Sequence, residues 1–201
     1  MKPRYSLSFF ILNFSFLISL SSCSEDKDED PYPSIVTELV DCPTDDKGTM
    51  SAIVLDDDTK LMLTNPQTEL KASVVYRALA GYTLEADGRA TLYSLKSAVF
   101  LRDSTSIAVC DPLKVVSLWR TKRYVNLHLM PKTQNEALHN WGFVNDSIVG
   151  RHAYLRLHHR QGTDPKAYSF DQYASLPLNL VDADTITLRI LTFDGWREWN
   201  I

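Results

Sequence analysis

Tyr124-Val125-Asn126-Leu127-His128-Leu129-Met130 places Val125, Leu127 and Leu129 on one side of an extended chain and Tyr124, Asn126 and His128 on the other. A period of two predicts a strand with one face in an apolar core and its polar face in water. The pattern returns twice downstream. Ala153, Leu155 and Leu157 alternate with Tyr154, Arg156 and His158, and Ile186, Leu188 and Ile190 alternate with Thr187 and Arg189. Upstream, β-branched and apolar runs over residues 34–40, 49–55, 60–64, 77–84 and 90–100 predict shorter strands. They are parted by turn-rich segments, among them Asp56-Asp57-Asp58-Thr59 and Asp87-Gly88, a hairpin signal because such pairs tolerate positive φ. Only residues 66–77, with Pro66 early and Glu69 in the first turn, predict a helix. Short strands at this spacing predict an all-β chain built as a sandwich or barrel.

Composition narrows the class. Of 201 residues, 44% are hydrophobic and 23% charged, which excludes disordered, collagenous and polytopic membrane chains. A formal charge of −4 argues against a nucleic-acid partner, and seven glycines leave little room for a Gly-rich phosphate cradle.

The N-terminus carries an address. Lys2 and Arg4 precede an apolar run from Leu7 to Leu20 that is too short to span a bilayer and fits the apolar region of a secretory leader. Leu20-Ser21-Ser22-Cys23 resembles a bacterial lipobox, implying removal of residues 1–22 and acylation of Cys23. Acyl chains would anchor the protein by burying methylenes at about 0.8 kcal/mol each. Ser24, Glu25, Asp26, Lys27, Asp28, Glu29 and Asp30 follow, a self-repelling tether stiffened by Pro31 and Pro33 that completes a linker over residues 23–33. This acidic run resembles the lipoprotein export signal of Bacteroidota. It implies the outer membrane, with the outer leaflet expected ahead of a periplasm-facing placement. Losing Lys2 and Arg4 takes the charge to −6, of which −4 belongs to the tether.

A boundary is expected near Asp111-Pro112, giving domains over residues 34–117 and 118–201. All four tryptophans and all five histidines lie in the second. The leader, the acidic tail, the short-stranded first half and Tyr124-Val125-Asn126-Leu127 together resemble the NigD-like lipoproteins of Bacteroidota. The block from Leu155 to Asp164 and the strand from Leu176 to Leu180 extend that resemblance. It implies an N-terminal OB-type barrel followed by a C-terminal immunoglobulin-like β-sandwich, and no established activity.

Chemistry is sparse in the motifs. His158 and His159 are adjacent on a strand and point to opposite faces, and His152 stands roughly 20 Å from His158 at about 3.3 Å per residue. No H-E-x-x-H, C-x-x-C, G-x-S-x-G or Walker spacing occurs, so neither a metal, a cofactor nor a catalytic residue is expected. Cys42 and Cys110 read equally as a disulfide in an oxidising compartment or as free thiols. Trp196 and Trp199, three apart, face opposite ways on a strand, so one is expected in the core and one outside. With Tyr154 they form a candidate ligand platform. Asp103-Ser104-Thr105, Asp146-Ser147-Ile148 and Asp184-Thr185-Ile186 resemble the short O-glycosylation motif of Bacteroidota envelope proteins. The expected role is a non-enzymatic binding or scaffolding module, with an accessory glycan-binding or bacteriocin-immunity protein as the alternative.

Overall fold

The computed structural model describes residues 34–104, 110–135 and 138–201. Its first part contains β1 (Val36–Pro43), β2 (Met50–Val54), β3 (Lys60–Gln67), β4 (Val75–Leu84) and β5 (Ala90–Ser97). They close a barrel in the order β1-β2-β3-β5-β4, with β3 and β5 parallel and the other neighbours antiparallel. Val40, Ile53, Ala78, Ala80, Tyr82 and Leu92 fill it. Closure between β3 and β5 rests on one registered backbone pair, Leu63 with Ala90. A side chain extends it: Asn65 Nδ2 donates to the Leu92 carbonyl at 2.8 Å and Asn65 Oδ1 accepts the Leu92 amide at 2.9 Å. The carboxamide does there what a neighbouring peptide group would do.

The helix expected over residues 66–77 does not form. β3 runs on through Pro66 to Gln67, and β4 has begun by Val75. Between them Glu69 and Ser73 take φ of 65° and 54°, outside the helical region. The Thr44 hydroxyl donates toward the Lys71 and Val74 carbonyls, while the Leu70 amide donates to the Gly48 carbonyl. These long-range bonds outweigh a weak local preference. Gly48 itself has φ of 77°, and a Cβ there would lie 2.1 Å from the Leu70 carbonyl oxygen.

The remaining strands are β6 (Val99–Phe100), β7 (Lys114–Arg120), β8 (Tyr124–Met130), β9 (Lys132–Thr133), β10 (Asn140–Val149), β11 (His152–Arg160), β12 (Tyr168–Ser169), β13 (Gln172–Pro177), β14 (Thr185–Thr192) and β15 (Gly195–Asn200). They build sheets β6-β13-β8-β7 and β10-β11-β14-β15, with β9 and β12 as a small pair. Val125, Leu127 and Leu129 from one sheet meet Leu155, Leu157, Ile186 and Leu188 from the other in a shared core. The all-β expectation therefore holds, as a barrel followed by a sandwich.

Pairing mixes antiparallel and parallel neighbours. β11 and β14 run parallel because the chain visits the opposite sheet between them, and β6 joins β13 in parallel. Direct pairing of β11 with β14 ends at Arg156 and Arg189. Beyond it Cys110 bridges His159 and Leu113 bridges Thr192, so residues 110–113 link the two strands past the end of their ladder. The barrel's last strand ends at Ser97 and β6 already pairs within the sandwich, while the position 117/118 lies inside β7.

The polar face of β8 is not the wet surface its alternation suggested. Tyr124 is 5% exposed and Asn126 is fully buried, because this face packs on the barrel.

Candidate functional site

Arg77 on β4 sits where barrel and sandwich meet, its side chain fully buried. Nη1 donates to Asp41 on β1 at 3.0 Å, and Nη2 lies 2.7 Å from Asp56. Nε donates to the Ser175 hydroxyl of β13 at 3.0 Å and Nη2 to Asn126 of β8 at 3.1 Å. The guanidinium lies 4.0 Å from the centroid of the Tyr124 ring. Asp41 also accepts from the Tyr124 hydroxyl at 2.8 Å and pairs with Arg123 at 2.7 Å. Burial, reinforced by the Asp41 contact, pushes the Tyr124 phenol up to about 12, so it remains a donor. A guanidinium is always charged, and two carboxylates with further polar acceptors satisfy its donors in the interior. The barrel supplies the charges and β8 and β13 supply neutral partners, so the two parts interlock.

Clefts flank this cluster. One, of about 870 Å³, is lined by Arg102, Asp103, Arg123, Tyr124, Val75 and Leu180 among others. The other, of about 440 Å³, lies between Thr37, Glu38, Leu39 and Leu79 of the barrel and Ser117, Trp119, His128 and Tyr173 of the sandwich. Cross-strand register makes Ser117, His128 and Tyr173 one row, and Trp119, Asn126 and Ser175 the next. His128 stacks on Tyr173 with ring centroids 4.5 Å apart and hydrogen-bonds Asp171 at 2.6 Å.

A second buried network holds one end of the sandwich. His139 Nε2 lies 3.0 Å from Asp164, His139 Nδ1 lies 3.0 Å from His159 Nε2, and His159 Nδ1 lies 3.0 Å from the Asp111 carbonyl. The Asp164 carboxylate and the Asp111 carbonyl are both acceptors, so each end of this chain of contacts takes a ring N–H. Burial pulls His159 down to about 4, which keeps that ring neutral beneath the stacked indole of Trp141, 4.1 Å away. For Asp164, burial acts upward but is outweighed by hydrogen bonds from Thr133, His139 and the Gln134 and Asn135 amides, and its carboxyl falls below the usual range. Spacing along one strand gave no histidine pair, because the pair forms across strands: His139 reaches His159 across the β10–β11 hairpin, while His158 meets Asn140. Among the described residues no group of three or more His, Cys, Asp or Glu is placed to hold a metal ion.

Cys42 and Cys110 are free thiols, which removes the disulfide alternative. Cys42 is buried in the barrel interior, where burial pushes its thiol up to about 12, whereas Cys110 donates to the Leu157 carbonyl inside the sandwich at 3.4 Å. Cys42 belongs to the barrel core and Cys110 to the half-buried segment beside the sandwich strand β11. Trp196 is exposed under the Arg189 guanidinium, Trp199 packs on the sandwich core, and Tyr154 is exposed against His152. Tyr154 and Trp196 share the outer sheet face but stand at opposite ends of their strands, with Arg189 between them, and Trp199 faces away. The structure thus does not gather the three into one surface. Cys23 and Ser24 to Asp30 lie outside the described residues, as does Thr105. Ser147 lies on β10, and the Thr185 hydroxyl is bonded to His152.

A closed five-stranded barrel interlocked with a two-sheet sandwich defines a two-part all-β architecture, and the function of such a fold lies in its sites. The family model described as NigD-like C-terminal beta sandwich domain matches residues 99–199, and the chain belongs to that NigD-like family. Solved structures share the architecture. A NigD-like immunity protein from Bacteroides caccae is 23% identical, with a TM-score of 0.64 over 85% of this chain and 93% of its own. A candidate lipoprotein from Bacteroides fragilis is 13% identical, with a TM-score of 0.65 over 84% and 97%. A protein of unknown function from Bacteroides vulgatus is 14% identical, with a TM-score of 0.67 over 84% and 90%. No curated protein matches the chain significantly.

Proposed function

We propose that the protein is a lipid-anchored envelope lipoprotein that acts as a non-enzymatic binding or scaffolding body on the outer face of the outer membrane. Acylated Cys23 holds it, and the acidic Ser24–Asp30 segment sets it off the bilayer as tether and export address. The observation that carries the binding role is the Arg77 cluster. It locks barrel to sandwich and so keeps the flanking clefts preformed, without a hinge to be ordered when a ligand arrives. Cells expressing the chain, labelled with an alkynyl fatty acid and then shaved with protease, test the placement. The expected result is label lost in Cys23→Ala and digestion of the body on intact cells. Digestion only after lysis would put the body in the periplasm instead.

A second reading takes the immunity role named for the Bacteroides caccae neighbour, with the same clefts receiving a partner protein. Protection of producing cells by the chain, lost on deletion of its gene, is the outcome that would favour it.

A further inference from the structure

The 440 Å³ cleft combines flat rings with a mosaic of fixed hydrogen-bonding groups and has no lysine or arginine in its lining. Trp119, 37% exposed, forms one end of its sandwich wall, and Tyr173 stacked on His128 forms the other. They are two strands and two residues apart, roughly 12 Å on ordinary strand spacings. That separation suits two or three linked pyranose rings rather than one. The facing barrel wall presents Glu38, whose Oε1 accepts the Tyr82 hydroxyl at 2.5 Å, and Asp56, held by Arg77 and by the Asn126 amide at 2.8 Å. Both carboxylates are thus oriented before any ligand arrives. The cleft continues into a hollow of about 240 Å³ that shares Glu38, Asp56 and Thr121.

Charge discriminates among ligand classes. Asp56 is neutralised by Arg77, and His128 is bonded to Asp171. Lys96 lies 5.8 Å from the Tyr173 ring centroid while donating to the Asp171 carbonyl, and Lys122 pairs with Asp58 beside the hollow. No salt bridge among the described residues reaches Glu38, so the floor carries one uncompensated acceptor between flanking cations. Asp57 of the hollow likewise enters no salt bridge among the described residues, so there is no positive surplus for a phosphate or a polyanion, and the modest acidic balance is what the tetralysine control probes. Aromatic faces with oriented carboxylates and hydroxyls suit a ligand with apolar ring faces and many neutral donors.

We propose that this cleft is a binding site for a neutral oligosaccharide, with Trp119 and Tyr173 as platforms and Glu38 as the principal acceptor. The proposal rests on the binding reading above and names its ligand class. The test titrates the full chain with maltotetraose, cellotetraose and mannotetraose, and with tetralysine as a charged control, following tryptophan fluorescence and calorimetric heat. One of the sugars is expected to bind, with affinity falling roughly tenfold in Trp119→Ala and in Glu38→Gln and unchanged in Trp196→Ala. Glu38→Gln keeps an acceptor for Tyr82, and an unchanged urea midpoint confirms that each variant is folded. Loss of sugar binding in Trp196→Ala with retention in Trp119→Ala overturns the cleft but leaves a binding module. Binding of tetralysine alone overturns the sugar and likewise leaves the binding reading intact. Silence toward every probe up to 10 mM (roughly −2.7 kcal/mol) overturns the proposal, and a body still accessible to protease on intact cells then leaves the scaffolding half of the reading in place.

Discussion

Arg77→Met removes the cation that bridges Asp41 and Asp56 between barrel and sandwich. Methionine fills much of the volume but neutralises nothing, so two carboxylates stay buried with fewer donors. Breaking a buried pair from one side costs about 3–5 kcal/mol. Asp41 keeps Arg123 at 2.7 Å and the Tyr124 hydroxyl at 2.8 Å, which places the expected loss near the lower end, about 3 kcal/mol. With an m-value of about 2 kcal/mol/M, the urea midpoint should fall by about 1.5 M. The arrangement also predicts a change in cooperativity. All four tryptophans lie in the sandwich, so their fluorescence follows that part alone, whereas far-ultraviolet circular dichroism follows both parts. Wild-type transitions should coincide by the two probes, and in Arg77→Met the dichroism should begin to fall first. Adding Asp41→Asn and Asp56→Asn should return part of the loss, because the unpaired charges go with them. Coincident transitions with a midpoint within about 0.3 M of wild type would refute the view that this cluster couples the two parts.

Other expectations are local. Gly48→Ala forces a Cβ against the Leu70 carbonyl at a φ of 77° and should cost about 2 kcal/mol or more, read as a lowered melting temperature; an unchanged one would contradict the clash. Asn65→Ala deletes both side-chain bonds to Leu92 and should cost about 1–3 kcal/mol, with faster amide exchange at Leu92 as the local signature. His159, whose charged and titratable neighbours are Asp111, His139 and His158, has a folded pKa of about 4 against the ordinary 6.5 of a histidine. The unfolded chain therefore binds the proton first, so this contribution is complete above pH 6.5 and is lost as pH falls toward 4, by at most about 3 kcal/mol. Urea midpoints at pH 7 and 5 should show the drop and His159→Gln should flatten it, whereas equal slopes would remove His159 as the cause. In the folded protein, maleimide should leave Cys42 untouched, and denaturation without reductant should expose both it and Cys110; a mass shift appearing only after reduction would restore the disulfide.

Short-range signals were read well where they are self-contained. Alternation in Tyr124–Met130 and His152–Arg160 marks the strands, and Asp87-Gly88 marks its turn, because the side-chain period and the φ of 78° at Gly88 need no distant partner. What covers a polar face is another matter. Tyr124, Asn126 and Ser175 have the pattern of a wet surface, and their partner Arg77 lies 49 residues from Asn126 and 98 from Ser175. The same distance problem hid the cleft. Tyr173 and His128 stack across two strands that are sequence-distant, and Trp119 joins them only through register. The missing helix has the converse cause, a local preference overridden by bonds from Thr44 and Gly48.

The Arg77 cluster also imposes an order in time. The barrel strands emerge first during synthesis and would cross the inner membrane ahead of the sandwich if the leader directs export. At that stage Arg77 can meet Asp41 and Asp56, but its neutral partners do not yet exist, and the barrel face that β8 and β13 will cover remains open to other chains. The final bond waits for Ser175, 98 residues beyond Arg77. Completion of the barrel's buried face is thus postponed until β13 of the sandwich has been made, which lengthens the interval in which that face lies open.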